Sequence, residues 1–391
     1  MTPKKRPLRR IILALLGDEK QQRFSIPIAA ILLSLIFGAI VILIIGKNPL
    51  IAYKSLLQGA GLWPKANYAG GKGLITDFMS FLDAWTPMLF ASLSVAVAAK
   101  AGLFNIGVSG QMLIAGFAAT VLVGYSGLAA VVAKPLVLLI GMVVGALAGG
   151  FIGWLKHRFN INEVVTAIML NYIIQYITSF FIYTRYLEPV SRQSAYINAA
   201  ARLTLNNVQV GNYKMVIPLA FPLAIIIAVL MHYLINKTRI GFEIRTVGLN
   251  KNAARYAGVN VGRTLVVSML ISGALAGLAG VTYYLGYYAS IQPRTLTSMG
   301  FDAIAVSLLG NSSPLGIIAA SFLISAVFKG STYMSSAVGV QDELASVIIG
   351  IILLFAACGA YIRYRSARAR DKQREEDQLR KASAAEGGEA K

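Results

Sequence analysis

The sequence predicts an all-α integral membrane protein with about ten transmembrane crossings, one of them short or broken, and with both termini cytoplasmic. Composition gives the first ground. Of 391 residues, 57% are hydrophobic and only 13% charged, mean hydropathy is +0.66, and soluble domains carry roughly 25% charged residues. Several apolar runs also reach or approach the ~18 residues of a membrane helix. Finally, most of the 36 Lys and Arg fall in segments that alternate crossing places inside, as the positive-inside bias requires.

The first run, Ile26 to Ile45, follows a basic start, Lys4 to Arg10. It is longer than the 7–15-residue core of a signal peptide and reads as a retained span. Gly46 to Leu82 reads as a polar, Gly-rich external connection. Asp83 to Ala99 returns inward and Ile106 to Tyr125 goes out, joined by the tight segment KAGLFN. Leu136 to Leu155 comes back, with Gly141, Gly145, Gly149 and Gly153 at four-residue spacing. Such a stripe lets another helix lie close, and Gly273 with Gly277 is a similar pair. Val164 to Tyr183 is the fifth span, Arg185 to Lys214 an external loop, Met215 to Ile235 the sixth span and Thr264 to Leu285 the seventh.

Phe301 to Leu309 is apolar but only about 14 Å long as a helix, against a hydrocarbon core of ~30 Å. With two cytoplasmic tails the crossings must be even in number, so this short segment counts as one. Broken elements at that depth survive only when buried in protein or lining a cavity. Leu315 to Phe328 and Leu344 to Ile362 complete the ten. The chain thus divides into a basic cytoplasmic N-terminus (1–25), a membrane domain (26–362) and a basic cytoplasmic tail (363–391).

Within the membrane domain, Asn236 to Arg263 is a polar interlude with six Lys or Arg against one acid, Glu243. Its charge places it in the cytoplasm. Asn250 suits the N-cap of a short helix, Lys251 to Ala257, and Gly258 its left-handed end. Ala253, Ala254 and Ala257 then share a face of small side chains open to a partner's close approach, or the helix is simply a surface helix.

Several chemistries are excluded or disfavoured. No G-x-x-x-x-G-K-[ST] phosphate loop occurs, so the chain itself is not expected to hydrolyse ATP. His157 and His232 lie near the ends of different helices, Cys358 stands alone, and no Cys/His/carboxylate cluster has metal-ligand spacing; neither metal nor cofactor is expected. The net charge of +20 sits at helix ends and in the tails. Orientation and anionic lipid account for it, with no nucleic-acid partner. Asp83, Glu163, Asp302, Asp342 and Glu343 fall at predicted helix ends, where the helix dipole suits a carboxylate. That placement disfavours an ion-coupled carrier, whose acids more often lie deep in its helices.

Two polar stretches remain at membrane depth. Asn105, Ser109 and Gln111 open the third span; Asn171, Gln175 and Thr178 share one face of the fifth, with Tyr172 and Tyr176 on a neighbouring face. Such faces suit a ligand with hydroxyls and a flat ring. They equally suit interhelical hydrogen bonding.

In these same stretches LFNIGVSGQMLIAGFAA, NEVVTAIMLNYI, RIGFEIRTVGLNKNAARYAGVNV and GFDAIAVSLLGNSSPLG resemble, in order, segments of permease subunits of ATP-binding-cassette importers. The likeness is to the family of ribose and branched-chain amino acid permeases and covers about Asp83 to Ile362; FNIGVSGQ and EVVTAIMLNY are most similar to its nucleoside importer branch. The resemblance implies a subunit of the cell membrane that forms a path for nucleosides, with a simple sugar or a branched-chain amino acid as the alternative cargo. It implies three partners: a cytoplasmic ATPase subunit, a second permease chain that is a different homologue, and an extracellular substrate-binding lipoprotein. It also implies that Gly241, Arg245, Gly248, Asn250, Ala253, Ala254 and Gly258 form the coupling element. Asn105, Gln111, Asn171, Tyr172 and Gln175 are the candidate residues of the substrate path.

Overall fold

The computed structural model describes residues 19–355, apart from 69, 212, 342, 345 and 353, together with Arg368. The predicted N-terminal segment, Cys358 and the basic tail therefore lie wholly or mostly outside the described residues. In chain order the elements are α1 (Glu19–Ile44), α2 (Pro49–Gly59), α3 (Leu74–Lys100), α4 (Val108–Ala119), α5 (Ala130–Phe159) and α6 (Glu163–Phe181). A hairpin of β1 (Thr204–Val210) and β2 (Tyr213–Pro218) follows, then α7 (Ala220–Lys237), α8 (Arg239–Leu249), α9 (Lys251–Tyr256), α10 (Val261–Thr282), α11 (Met299–Leu309) and α12 (Pro314–Val338). Residues 343–355 are helical where described. Wide π turns extend α4 (Thr120–Gly124), α6 (Ile182–Tyr186) and α10 (Tyr283–Tyr288).

Where they are described, the predicted apolar runs coincide with helices, except that the sixth begins in a β-strand. Among the described residues six helices are long and apolar enough to cross a membrane, seven if α1 and α2, bent by 117°, make one broken span. Val108–Gly124 and α11 are shorter apolar helices.

Several boundaries differ from expectation. Helix α3 begins at Leu74, so Asp83 sits well inside a helix and not at its end. The polar letters before it do not break the helix, because Gly73 donates its N–H to Thr76 Oγ1 at the N-terminus (3.2 Å) and Lys65 pairs with Asp77 (2.7 Å). The Gly46 to Leu82 connection is not all loop. Asn48 caps α2 by accepting from Leu50 N (2.9 Å), and Pro49 is preset for the first helical turn. Helix α12 runs on past Phe328, carrying Lys329 within it. The all-α expectation misses the antiparallel hairpin, whose second strand takes the residues predicted to begin the sixth span; α7 starts at Ala220.

Helix α3 is the axis of the molecule: 94% of its most apolar window is buried, against 39% for α5, 33% for α6 and 28% for α7. The peripheral helices therefore keep wide apolar faces outward, as lipid-facing or subunit-facing helices must. Phe81, Leu89, Phe90 and Leu93 of α3 are fully buried. Near one end Phe81 and Trp85 meet Phe322 of α12 edge-on, with ring centroids 5.1 and 5.2 Å away, and Trp85 Nε1 donates to Ser321 Oγ (2.7 Å).

The two glycine series found in the sequence lie against each other. A side chain added at Gly145 would meet Gly277 Cα at 2.6 Å, and one at Gly149 would meet Gly273 Cα at 2.8 Å. Helices α5 and α10 thus cross backbone to backbone. The hairpin marks one end of the bundle, where Lys214 N donates to Gly71 O (2.9 Å). Helices α8 and α9 mark the other: a Cβ on Gly102, just after α3, would lie 3.3 Å from Gly248 Cα.

Candidate functional site

Three places carry polar chemistry. The first is a knot where α3, α4, α6 and α10 meet. Asn105 Nδ2 donates to Gln111 Oε1 (3.0 Å) and to Ser272 Oγ (2.8 Å), while its Oδ1 accepts from Gly107 N (3.0 Å). Ser272 Oγ in turn donates to Ser94 O of α3 (2.8 Å). Asn171 accepts from Gly110 N (3.0 Å) and donates to Ile106 O (3.1 Å), reaching from α6 to the unpaired backbone at the start of α4. All three amide residues are buried. They satisfy a helix entry that no water reaches, which is the work a buried amide does best.

The other two path residues stand apart from the knot. Gln175 Nε2 donates to Arg294 O (2.6 Å), and Ser179 Oγ accepts from Arg294 N (2.8 Å), so α6 clamps the turn before α11. Tyr172 faces outward with Tyr176 and Phe180, each more than half exposed, on the uncovered side of α6. The two polar stretches of the sequence thus meet through Asn171 in an inner knot, while Gln175 bonds elsewhere and Tyr172 and Tyr176 form an outer aromatic face.

The second place is the α8–α9 end. Asn250 Oδ1 accepts from Asn252 N (2.9 Å) and Ala253 N (3.1 Å), and Gly258 takes φ +79°, so the predicted cap and stop are both present. Thr238 Oγ1 caps α8 through Gly241 N (3.1 Å). Gly241 and Gly248 are packing residues: any side chain on them would strike the end of α7 and Lys100 O respectively. Arg245 Nε turns back to Gly241 O (3.4 Å). The alanine face divides. Ala254 is fully buried against Ile244 and Val247 of α8 and the turn after α3, whereas Ala253 and Ala257 are exposed. Beside them Leu249 and Tyr256, 89% and 95% exposed, stand among Lys251 and Arg255.

The third place was not singled out from the sequence. At the hairpin end a cavity of about 550 Å³ opens between α2, α3, α10, α11 and α12. The π turn of α10 puts Tyr283, Tyr287 and Tyr288 into its wall, and Asp302 and Lys329 line it from α11 and α12. A π turn rotates its side chains out of the α register, and such turns recur at functional sites. The available signals were the tyrosine-rich letters TYYLGYY and a lysine interrupting an apolar run. Behind the cavity, Asp83 accepts from Thr204 Oγ1 (2.7 Å), tying the hairpin to the central helix, and Arg202 donates to Gly286 O (3.2 Å). Burial pushes the Arg202 guanidinium below its ordinary value, and the nearby Asp83 carboxylate opposes that shift.

Residues 78–357 match the family model described as branched-chain amino acid transport system / permease component. The nucleoside ABC transporter permease protein NupB of Lactococcus lactis is 34% identical over 87% of this chain and 92% of its own length. The guanosine ABC transporter permease protein NupP of Bacillus subtilis is 36% identical over 87% of this chain and 94% of its own. The glucose ABC transporter permease protein TsgB13 of Haloferax volcanii is 29% identical over 90% and 91%. With a family match over most of its length and a helical, multi-pass architecture, the chain belongs to the branched-chain amino acid transport system permease family.

Proposed function

We propose that this chain is a permease subunit of an ATP-driven importer in the cell membrane and that its cargo is nucleosides. The observation that carries the cargo is the similarity, over nearly nine-tenths of the chain, to NupB and NupP, whose names specify nucleosides and guanosine. A simple sugar is the second reading, favoured by the similarity to the glucose permease. Ten crossings with cytoplasmic termini put the α8–α9 end inside and the hairpin end outside.

In this arrangement a separate ATPase subunit docks on the coupling element, with Ala253, Ala257, Leu249 and Tyr256 as contact residues. Gly241, Arg245, Gly248, Asn250, Ala254 and Gly258 hold that element in shape. A second, homologous permease chain covers the outward faces of α5 and α6. Tyrosine hydroxyls on a membrane-facing helix are costly against lipid, so the α6 face with Tyr172 suits the wall of a path between the two permeases. Gln175 borders that face, and Asn105, Gln111 and Asn171 fix its position from behind. An extracellular substrate-binding lipoprotein delivers cargo at the hairpin end.

The test is radiolabelled nucleoside uptake by the complete complex in vesicles, competed in turn with uridine, guanosine, ribose and leucine. Competition by ribose or leucine and by neither nucleoside rejects the cargo. Ion-driven uptake by the chain without any ATPase rejects the importer in favour of a secondary carrier.

A further inference from the structure

The cavity at the hairpin end has a built interior that the helix packing does not need. Ser325 of α12 lines it, is 3% exposed, and its hydroxyl has no hydrogen-bond partner among the described residues. Buried hydroxyls are almost always satisfied, so one left open toward a cavity is set for a ligand or for the water that a ligand displaces. Lys329 presents an ammonium to the same space, with its Nζ 3.4 Å from Tyr287 Oη and 5.2 Å from that ring's centre. A lysine has three donors, so bonds remain to be made. Asp302 supplies an acceptor, touched by the Ser298 side chain and forming no ion pair among the described residues.

Aromatic surface completes the site. Tyr283, Tyr287 and Tyr288 stand in a group with centroids 4.8 to 6.4 Å apart. Their backbone ends in Ala289 at φ +65°, a left-handed conformation that a residue with a Cβ seldom adopts. The wall is therefore held in a particular shape at some conformational cost.

Charge narrows the ligand. The charged lining residues are Lys65, Asp77, Asp302 and Lys329, and the first two pair with each other at 2.7 Å. Two positive and two negative groups cancel, so the cavity offers no net attraction to a phosphate.

We propose that this cavity is a receiving site within the single permease chain, separate from the α6 face, that holds one uncharged nucleoside: the tyrosines take the base, Ser325, Lys329 and Asp302 bond its polar atoms, and nucleoside phosphates are refused. The proposal rests on the nucleoside reading above.

The experiment uses the assembled permease pair and ATPase in nanodiscs without the binding protein, with radiolabelled guanosine as probe and guanosine 5′-monophosphate as competitor. Ser325→Ala raises the half-saturating guanosine concentration at least fivefold without lowering the melting temperature of the ligand-free complex, since the lost hydroxyl bonds nothing among the described residues. Lys329→Met raises it at least tenfold and Lys329→Arg restores most of the affinity. Asp302→Asn, which leaves the cavity net positive, reduces discrimination against the monophosphate at least tenfold. Half-saturation within twofold of wild type in both Ser325→Ala and Lys329→Met overturns the proposal, as does a wild-type complex that binds the monophosphate as tightly as guanosine. If the wild-type importer moves nucleosides while these variants bind normally, only the receiving site falls; if it moves none, the nucleoside reading falls with it.

Discussion

Substituting Gly145 by alanine probes the crossing on which the membrane domain turns. The new Cβ would stand 2.6 Å from Gly277 Cα and 2.7 Å from Gly277 N, whereas carbon atoms rest at about 3.5–4.0 Å. Because the obstacle is backbone, no rotamer change relieves it, and α5 must move off α10 by about 1 Å. Overpacking costs about 1–3 kcal/mol, and a blocked backbone belongs near the top of that range. Replacing a helical glycine returns about 1 kcal/mol. The net expectation is a loss of about 2 kcal/mol. Gly350→Ala is the control: its position is helical and exposed with nothing within 4 Å of the new carbon, so it should gain up to about 1 kcal/mol. Apparent melting of the detergent-solubilised protein, followed by fluorescence-detected size exclusion, ranks the three. Wild type should lie between the two variants, and Gly145→Ala combined with Gly277→Ala should cost less than the sum, because the first substitution has already parted the helices. If Gly145→Ala melts as high as Gly350→Ala, the close crossing is refuted.

Three further outcomes can be measured directly. Ala253→Arg, on an exposed position of α9, should insert normally and lose transport-coupled ATP hydrolysis; Ala254→Arg, on a fully buried one, should instead fail to accumulate as folded protein. Unchanged coupling in the Ala253 variant at equal expression would make α9 an ordinary surface helix. Reporter fusions after Ser313 and Ser336 should read cytoplasmic and external, and the reverse at either point would remove α11 from the count of crossings. Asp83→Leu strips the acceptor from Thr204 Oγ1 and should lower stability by about 1–3 kcal/mol, with Asp83→Asn milder because it keeps an acceptor; equal melting of all three proteins would mean that the hairpin is held elsewhere.

Helix positions were legible because hydrophobic length is a strong local signal, and the end caps were legible because Asn250 and Gly258 act within a few residues of themselves. The glycine series was legible as a pair of close-packing surfaces before either partner was known, since four-residue spacing admits few other uses. What stayed hidden depends on distant chain. The start of α3 is written in polar letters, Thr76, Asp77 and Asp83, that look like loop until Lys65 and Thr204 are brought to them. The hairpin was masked in the same way, because Met215, Val216 and Ile217 extend an apolar run that continues into α7.

The alanines of α9 show why the site was harder to read than the fold. A helix of six residues has no apolar period to choose its inner face, so Ala253, Ala254 and Ala257 are equivalent by spacing. Their difference comes from α8, which Gly241 and Gly248 allow to press against α7 and the end of α3. Ala254 closes that contact, leaving Ala253 and Ala257 outside. The same packing connects the two ends of the molecule: α8 bears on Lys100 at the last turn of α3, while Ser80, Ala84 and Met88 nearer its first turn line the tyrosine cavity. Between them the helix is almost wholly enclosed, and interiors packed to crystal density transmit displacement with little compression. A force applied at α8–α9 would therefore bear on the central helix that forms one wall of the cavity, at the place where Gly248 lies against Lys100.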